Sequence, residues 1–244
     1  MAIDGFFEIR SLAYGVGWEI DPQILEDGRL LLSSALHNHV CYVRAYGDKQ
    51  FVLSFDSHLL ITELETRFKD FVNHPLGNKD LIREILKEAS KLACALPDSP
   101  VLEFEKSMKD ITVDETIAIR EIEQRVGQDI FRKHLLQYWE GRCALTNIGI
   151  TQLLMASHAK PWKDCTSGEE RLNVFNGFLL EARYDRLFDQ GFISFSDNGA
   201  VMVSRRLDDS SINVLGLNSN SKLRWIRNEH LPFLHWHQQL VFLK

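Results

Sequence analysis

The chain lacks any apolar run long enough to cross a membrane, since no window approaches the roughly 18 consecutive apolar residues that a spanning helix needs. Its first residues, 1–5, show no basic stretch followed by an apolar one, so we expect no secretory signal. Cysteine is scarce: Cys41, Cys94, Cys143 and Cys165 form no C-x-x-C pair, which argues against a four-cysteine zinc site. Isolated cysteines are typical of a reducing compartment, so we expect a cytoplasmic protein with no membrane association.

Internal repeats, low-complexity segments and an excess of basic residues are also absent. An apolar content of 45% with 25% charged residues excludes wholesale disorder. Residues 127–244 hold 14 Lys and Arg against 12 Asp and Glu, so the totals of 28 and 34 leave 14 basic and 22 acidic residues for 1–126. This distribution permits polyanion binding by the C-terminal half, whereas the acidic N-terminal half suits protein contacts better.

Hydrophobic patterning in the N-terminal half predicts strands first and helices second. The first fifty-odd residues are expected to be β-rich, with three strand cores and a turn between the last two. The predicted strand cores are 30–32, 40–43 and 50–55, and the predicted turn is 46–49. Apolar stripes at helical spacing then predict helices over 58–72 and 80–96.

A linker is predicted after Leu96, because Pro97 and Pro100 bracket small and polar residues. A helix is expected to restart at Thr112, where 112–115 fit the capping-box pattern, and to run towards Gly141. After Gly141 short strands alternate with loops, and a hairpin turn is expected at 197–199 after the apolar stretch 192–195. Histidine, asparagine and aspartate fall at motif spacing in this part of the chain.

Three stretches after Gly141 contain the residues suited to chemistry: SHAKPW at 157–162, NGFLL at 176–180 and YDRLFDQG at 184–191. A lone Ser-His or Asn-Gly pair predicts nothing, whereas this ordered set is specific. Together with 127–132, 138–146 and 235–237, it strongly resembles the bacterial restriction-type branch of the HNH, or ββα-metal, endonucleases. The resemblance implies an α+β protein whose N-terminal mixed β/helical domain (1–96) is followed by a linker and helix (97–125) and an HNH module (126–244).

The same resemblance assigns roles to three residues. His158 is expected to be the general base, since imidazole accepts a proton near neutral pH. Asn176 is expected to hold the loop before it and thereby to orient His158, because an amide both donates and accepts hydrogen bonds. Asp185 is expected to bind one divalent ion, Mg²⁺ or Mn²⁺, which stabilises the leaving oxygen.

Two positions depart from the family pattern. Asp185 replaces the third histidine of H-N-H, which favours a hard cation. Ser157 stands where many HNH enzymes have an acidic metal ligand, so the second ligand is Ser157 itself, a backbone carbonyl, Asp189 or the substrate phosphate. Asp189 lies one helical turn from Asp185 and could face the same ion. Cys143 has no cysteine partner nearby, so no structural zinc is expected.

Basic residues near the motif are either solvated surface or phosphate contacts, and we select Lys160, Arg183 and Arg186 for DNA binding. The predicted function is metal-dependent DNA cleavage, with a role in restriction or anti-phage defence implied by the resemblance. Two alternatives stay open. The chain could be a nuclease subunit that needs a protein partner, or a second copy of itself, bound through the N-terminal half. It could also be a non-cutting DNA-binding protein on an HNH scaffold.

Overall fold

The computed structural model describes residues 2–46, 49–69, 71–72, 74–109 and 116–244. The chain divides into two units, Met1–Ser99 and Pro100–Lys244. Both units contain helices and strands, so the predicted α+β class is confirmed. Within the described ranges, no helix is both long and apolar enough to traverse a bilayer.

The N-terminal unit contains a four-stranded antiparallel sheet in which sequence neighbours pair in space. Its strands are β1 (Ile20–Ile24), β2 (Leu30–Ser33), β3 (Cys41–Tyr46) and β4 (Gln50–Phe55). Alternate residues of β3 and β4 face the core, so Cys41 pairs with Phe55 and Val43 with Leu53, and all four are buried. The three predicted strands are confirmed, while Gly47 and Asp48 of the predicted turn lie outside the described residues.

Three helices accompany this sheet: α1 (Ala2–Tyr14), α2 (His58–Arg67) and α3 (Lys79–Ala95). The expected β-rich start is confirmed for residues 20–55, but the prediction missed α1, which precedes the sheet. Its buried residues Phe6, Ile9 and Ala13 recur at helical spacing, a signal that was present in the sequence. Helix α2 ends at Arg67 rather than at residue 72, because Phe68 adopts an extended conformation.

The proline-bracketed segment forms a short connection between two helices. Helix α3 ends at Ala95, and α4 (Asp98–Met108) begins three residues later. Pro100 lies in the first turn of α4, where a missing amide hydrogen is tolerated. Helix α5 (Thr116–Tyr138) follows, and the predicted capping box at 112–115 lies outside the described residues. The domain limits at 96 and 126 stay predictions.

The C-terminal unit is organised around an antiparallel pair, β5 (Leu154–His158) and β6 (Gly177–Glu181). The short helix α6 (Gly168–Leu172) lies in the connection, and α7 (Ala182–Asp189) follows β6 directly. The unit is completed by β7 (Ile193–Phe195), β8 (Val201–Val203), α8 (Asp209–Val214) and α9 (Leu231–Leu240). Strands β7 and β8 form the predicted hairpin, with Gly199 at a φ of 84° in its turn.

Buried aromatic rings form the core around β6. Phe178, Phe188 and Phe195 are each 0% exposed. His237 of α9 stacks on Phe188 at 3.8 Å between ring centroids, and its Nε2 lies 3.0 Å from the Phe188 carbonyl. His237 is therefore a structural residue of a packed terminal helix, whereas His235 pairs with Asp197 at 2.8 Å.

Candidate active site

Strand β5 and helix α7 bring the residues of the three motif stretches together. The register of β5 against β6 pairs His158 with Gly177 and Ser157 with Phe178. Because α7 starts where β6 ends, it returns along β5 and places Asp185 beside Ser157. The strand–loop–strand–helix order of this part of the chain thus builds the site.

The imidazole of His158 is fixed by one hydrogen bond and one stacking contact. Its Nε2 lies 2.9 Å from the carbonyl oxygen of Arg171, and since a carbonyl only accepts, Nε2 carries the proton. The neutral ring then has its free lone pair on Nδ1. The ring stacks on Phe131 of α5 at 3.7 Å between centroids. Burial lowers the pKa of His158 to about 4, against the opposing effect of the Arg171 carbonyl, so the ring is neutral at pH 7.

Gly177 makes room for this stacking arrangement. A Cβ atom at this position would lie 2.5 Å from Cζ of Phe131 and 2.9 Å from the Ser157 carbonyl oxygen. Any larger residue would therefore push Phe131 away from its place against His158. Glycine at position 177 is consequently required by packing, because it leaves the space that the Phe131 ring occupies.

Asn176 ties down the loop that connects β5 to β6. Its Oδ1 accepts from the Lys160 amide at 2.8 Å, and its Nδ2 donates to the carbonyls of Lys160 at 3.1 Å and Glu170 at 3.0 Å. Nδ2 also lies 3.4 Å from the Cys165 sulfur. The side chain is 0% exposed. Because Glu170 precedes Arg171 in the chain, these bonds also fix the carbonyl that holds His158.

Helix α7 carries two neighbouring carboxylates, of which Asp185 contacts β5 and Asp189 is exposed. Asp185 accepts a short hydrogen bond from the Ser157 hydroxyl, and Asp189 lies one turn further along. Burial raises the pKa of Asp185, although the Ser157 hydroxyl and Arg186 oppose the shift. Burial and the negative charge of Asp185 raise the pKa of Asp189 to about 6, with Arg186 again opposing. Each carboxylate therefore lies in surroundings that disfavour its charge.

The donor set at this position is suited to a hard cation. Mg²⁺ and Mn²⁺ prefer oxygen ligands, and Mg²⁺ sites often use one or two protein carboxylates and complete the shell with water and phosphate. Asp185 and Asp189 supply two carboxylates whose mutual repulsion a cation would relieve. In the parts of the chain that the structure describes, no three His, Cys, Asp or Glu side chains form a potential metal cluster. The Ser157 hydroxyl is hydrogen-bonded to Asp185, so any further ligands would be main-chain carbonyls, solvent or substrate.

The three selected basic residues occupy different surroundings. The Lys160 ammonium pairs with Glu170 at 2.7 Å, and its side chain is only 13% exposed, so it braces the loop. Arg183 is half exposed and lies over the Tyr184 ring at 4.5 Å. Arg186 is exposed, and its positive charge partly offsets the rise in pKa of both α7 carboxylates. The guanidinium therefore lies close to them.

Two contributors to the site were not selected from the sequence. Phe131 lies within the lead-in stretch of the resemblance, but its apolar ring gave no sign of contact with His158. Arg171 contributes its main-chain carbonyl, which any residue type possesses, so no side-chain pattern could identify it. Its guanidinium donates to the carbonyls of Trp162 at 3.3 Å and Cys165 at 3.2 Å, which adds further bracing to the loop.

Comparison with known proteins agrees with this geometry. Residues 143–196 match a family model described as HNH endonuclease. The matched segment runs from Cys143 through β5, α6, β6 and α7 to the end of β7, and so contains His158, Asn176 and Asp185. No curated protein matches the chain. The similarity therefore supports the HNH family for this segment and leaves the restriction-type branch as a proposal.

Proposed function

We propose that the C-terminal unit is a metal-dependent DNA endonuclease that hydrolyses phosphodiester bonds with His158 as general base. The observation that carries the proposal is the placement of His158 and Asp185 at the end of β5, inside the segment that matches HNH endonucleases. The role in restriction or anti-phage defence, implied by the resemblance, is part of the proposal, as is a cytoplasmic location.

His158 suits the base role because its hydrogen bond to the Arg171 carbonyl determines which ring nitrogen carries the proton. The Arg171 carbonyl holds the Nε2 proton, so Nδ1 is left to accept a proton from an attacking water. The low pKa keeps Nδ1 unprotonated across the physiological range. Asn176 acts as a positioning residue, because it fixes the loop that presents this carbonyl.

The metal would be held by Asp185, with Asp189 as a second carboxylate. When bound, Mg²⁺ or Mn²⁺ would neutralise charge on the phosphate and on the leaving oxygen. Ser157 would orient Asp185 through its hydroxyl and would not ligate directly. Arg186 and Arg183 are the exposed cations that we assign to neighbouring phosphates.

The test is cleavage of supercoiled plasmid by the full chain with Mg²⁺ or Mn²⁺. We expect cutting that EDTA blocks and that His158→Ala and Asp185→Ala both abolish. His235→Ala and Asp197→Ala are matched controls, because this His–Asp pair belongs to the same unit and lies on its surface. Loss of cutting in the controls, or retained cutting in His158→Ala, would remove the assigned site.

A second candidate is a nuclease that cuts only with a protein partner. The excess of acidic residues in 1–126 favours it, because like charge repels DNA. Wild-type protein that binds DNA without cutting, and cuts once a co-purified stoichiometric partner is added, would support this candidate. DNA binding with no cutting under either condition would instead support a non-cutting scaffold, for which Ser157 is the relevant departure.

A further inference from the structure

A cavity of about 520 Å³ lies within the C-terminal unit beside the loop that holds His158. This volume is within the range of about 300–1,000 Å³ that is typical of small-molecule sites. Its lining combines two aromatic rings, two guanidinium groups, a carboxylate and an amide. These residues are Phe104, Trp162, Arg120, Arg171, Glu123 and Gln124.

One face of α5 connects the cavity with the imidazole. Arg120, Glu123 and Gln124 share a helical stripe with Gly127 and Phe131, because the spacings are three, four, seven and eleven residues. Phe131 stacks on His158. A Cβ atom on Gly127 would lie 2.1 Å from Cη2 of Trp162, so the missing side chain is what lets the indole reach α5.

Two lining residues also contact the catalytic imidazole directly. The Trp162 ring meets the His158 ring edge to face, at 6.2 Å between centroids. Arg171 lines the cavity and accepts the Nε2 proton of His158 through its carbonyl oxygen. A ligand in the cavity would therefore be separated from the His158 imidazole by a single residue, Trp162 or Arg171.

The chemistry of the lining fits a nucleotide. Phe104 and Trp162 offer π faces, on which any base can stack. Glu123 and Gln124 offer the acceptors and donors that read the edge of an unpaired base. Arg120 is exposed and makes no ion pair within the described residues, so it is available to a phosphate.

We propose that this cavity binds one unstacked nucleotide next to the scissile phosphodiester. The base would enter between the aromatic and amide-bearing walls, and its phosphate would meet Arg120. The proposal rests on the proposed nuclease function and specifies its substrate: DNA with an unpaired or extruded nucleotide near the cut. The same chemistry could be supplied by a free nucleotide, which the experiment separates from a strand.

The test compares the affinity of the full chain for two labelled duplexes in EDTA, which prevents cutting. One duplex is fully paired and the other has a single unpaired adenosine. We expect about ten-fold tighter binding of the bulged duplex, in line with the contribution of one stacked base.

Phe104→Leu retains bulk without an aromatic face and should abolish the preference for the bulged duplex, and Arg120→Ala should weaken this preference. Arg125→Ala is the matched control, because Arg125 is exposed on α5 and does not line the cavity.

A second arm titrates the protein with deoxyadenosine monophosphate. Binding of the mononucleotide that Phe104→Leu removes, without preference for the bulge, would support the nucleotide site and assign it to a free ligand. Equal affinity for both duplexes together with no mononucleotide binding would overturn the proposal, even if plasmid is cut. Preference for the bulge with no plasmid cutting, either by the chain alone or after addition of a co-purified partner, would keep the cavity assignment and remove the nuclease function, so the two failures are distinguishable.

Discussion

Replacing Asn176 by alanine should destabilise the loop between β5 and β6 more than the removal of any other single polar side chain in the site. The change removes the hydrogen bonds to the Lys160 amide and to the carbonyls of Lys160 and Glu170, in a position that is 0% exposed. A net contribution of about 1 kcal/mol per bond, plus the desolvation of the abandoned groups, gives a loss of about 3–5 kcal/mol. For a unit of this size the melting temperature should fall by about 10 °C.

Urea unfolding followed by tryptophan fluorescence measures this loss. Four of the five tryptophans belong to the C-terminal unit, and only Trp18 reports on the other unit. Asn173→Ala is the control on the same segment, because its side chain accepts one bond, from the Phe175 amide at 2.9 Å. It should cost about 1 kcal/mol, as a cap does. A loss below about 1 kcal/mol for Asn176→Ala would refute the view that this side chain holds the loop.

Three further predictions follow from the same contacts. Gly177→Ala should destabilise the unit by about 1–3 kcal/mol and reduce cleavage, since its Cβ would displace Phe131, whereas Gly149→Ala, with its nearest neighbour at 3.5 Å, should be tolerated in thermal melts. In EDTA, Asp189→Asn should raise the urea midpoint above pH 6 and lose this advantage towards pH 4. The unfolded carboxyl ionises near its ordinary pKa of 3.8, whereas the folded one stays protonated up to about pH 6, so the wild-type penalty builds up between these values and is complete above pH 6. The pKa of His158 and of His237 is lowered to about 4, and that of His230 to about 3, by burial. The unfolded chain therefore binds extra protons below pH 6.5, so stability should fall from pH 6.5 to 4, and a midpoint that is constant over that window would contradict buried neutral imidazoles.

The elements and site residues that could be predicted from the sequence are those that depend on side-chain type and local pattern. The strands at 30–32 and 50–55 and the hairpin around Gly199 follow from local alternation and turn chemistry, and they were predicted correctly. The roles of His158, Asn176 and Asp185 came from the resemblance to HNH endonucleases and stay predictions, while the structure places all three residues around β5, β6 and α7.

What could not be predicted depended on contacts distant in sequence or on the main chain. The α5 ring of Phe131 lies 27 positions before His158, and nothing in its neighbourhood marks it as a stacking partner. The Arg171 carbonyl carries no sequence signature at all. The ion pair between Lys160 and Glu170 depends on the loop conformation, so the bracing by this lysine could not be predicted from the sequence.

The serine at position 157 is best understood through the electrostatics of α7. An acidic residue there would place a third negative charge beside Asp185 and Asp189, whose pKa values are already raised. Ser157 instead donates a hydrogen bond to Asp185, which opposes the effect of burial on that carboxylate. With serine at position 157 the site has one potential acidic ligand fewer, but the serine hydroxyl stabilises the ionised form of Asp185. A metal at this site would have few protein ligands, and it would consequently depend more on substrate phosphate to complete the coordination shell. Metal binding and DNA binding should accordingly be coupled more strongly here than in a site with an acidic residue at this position.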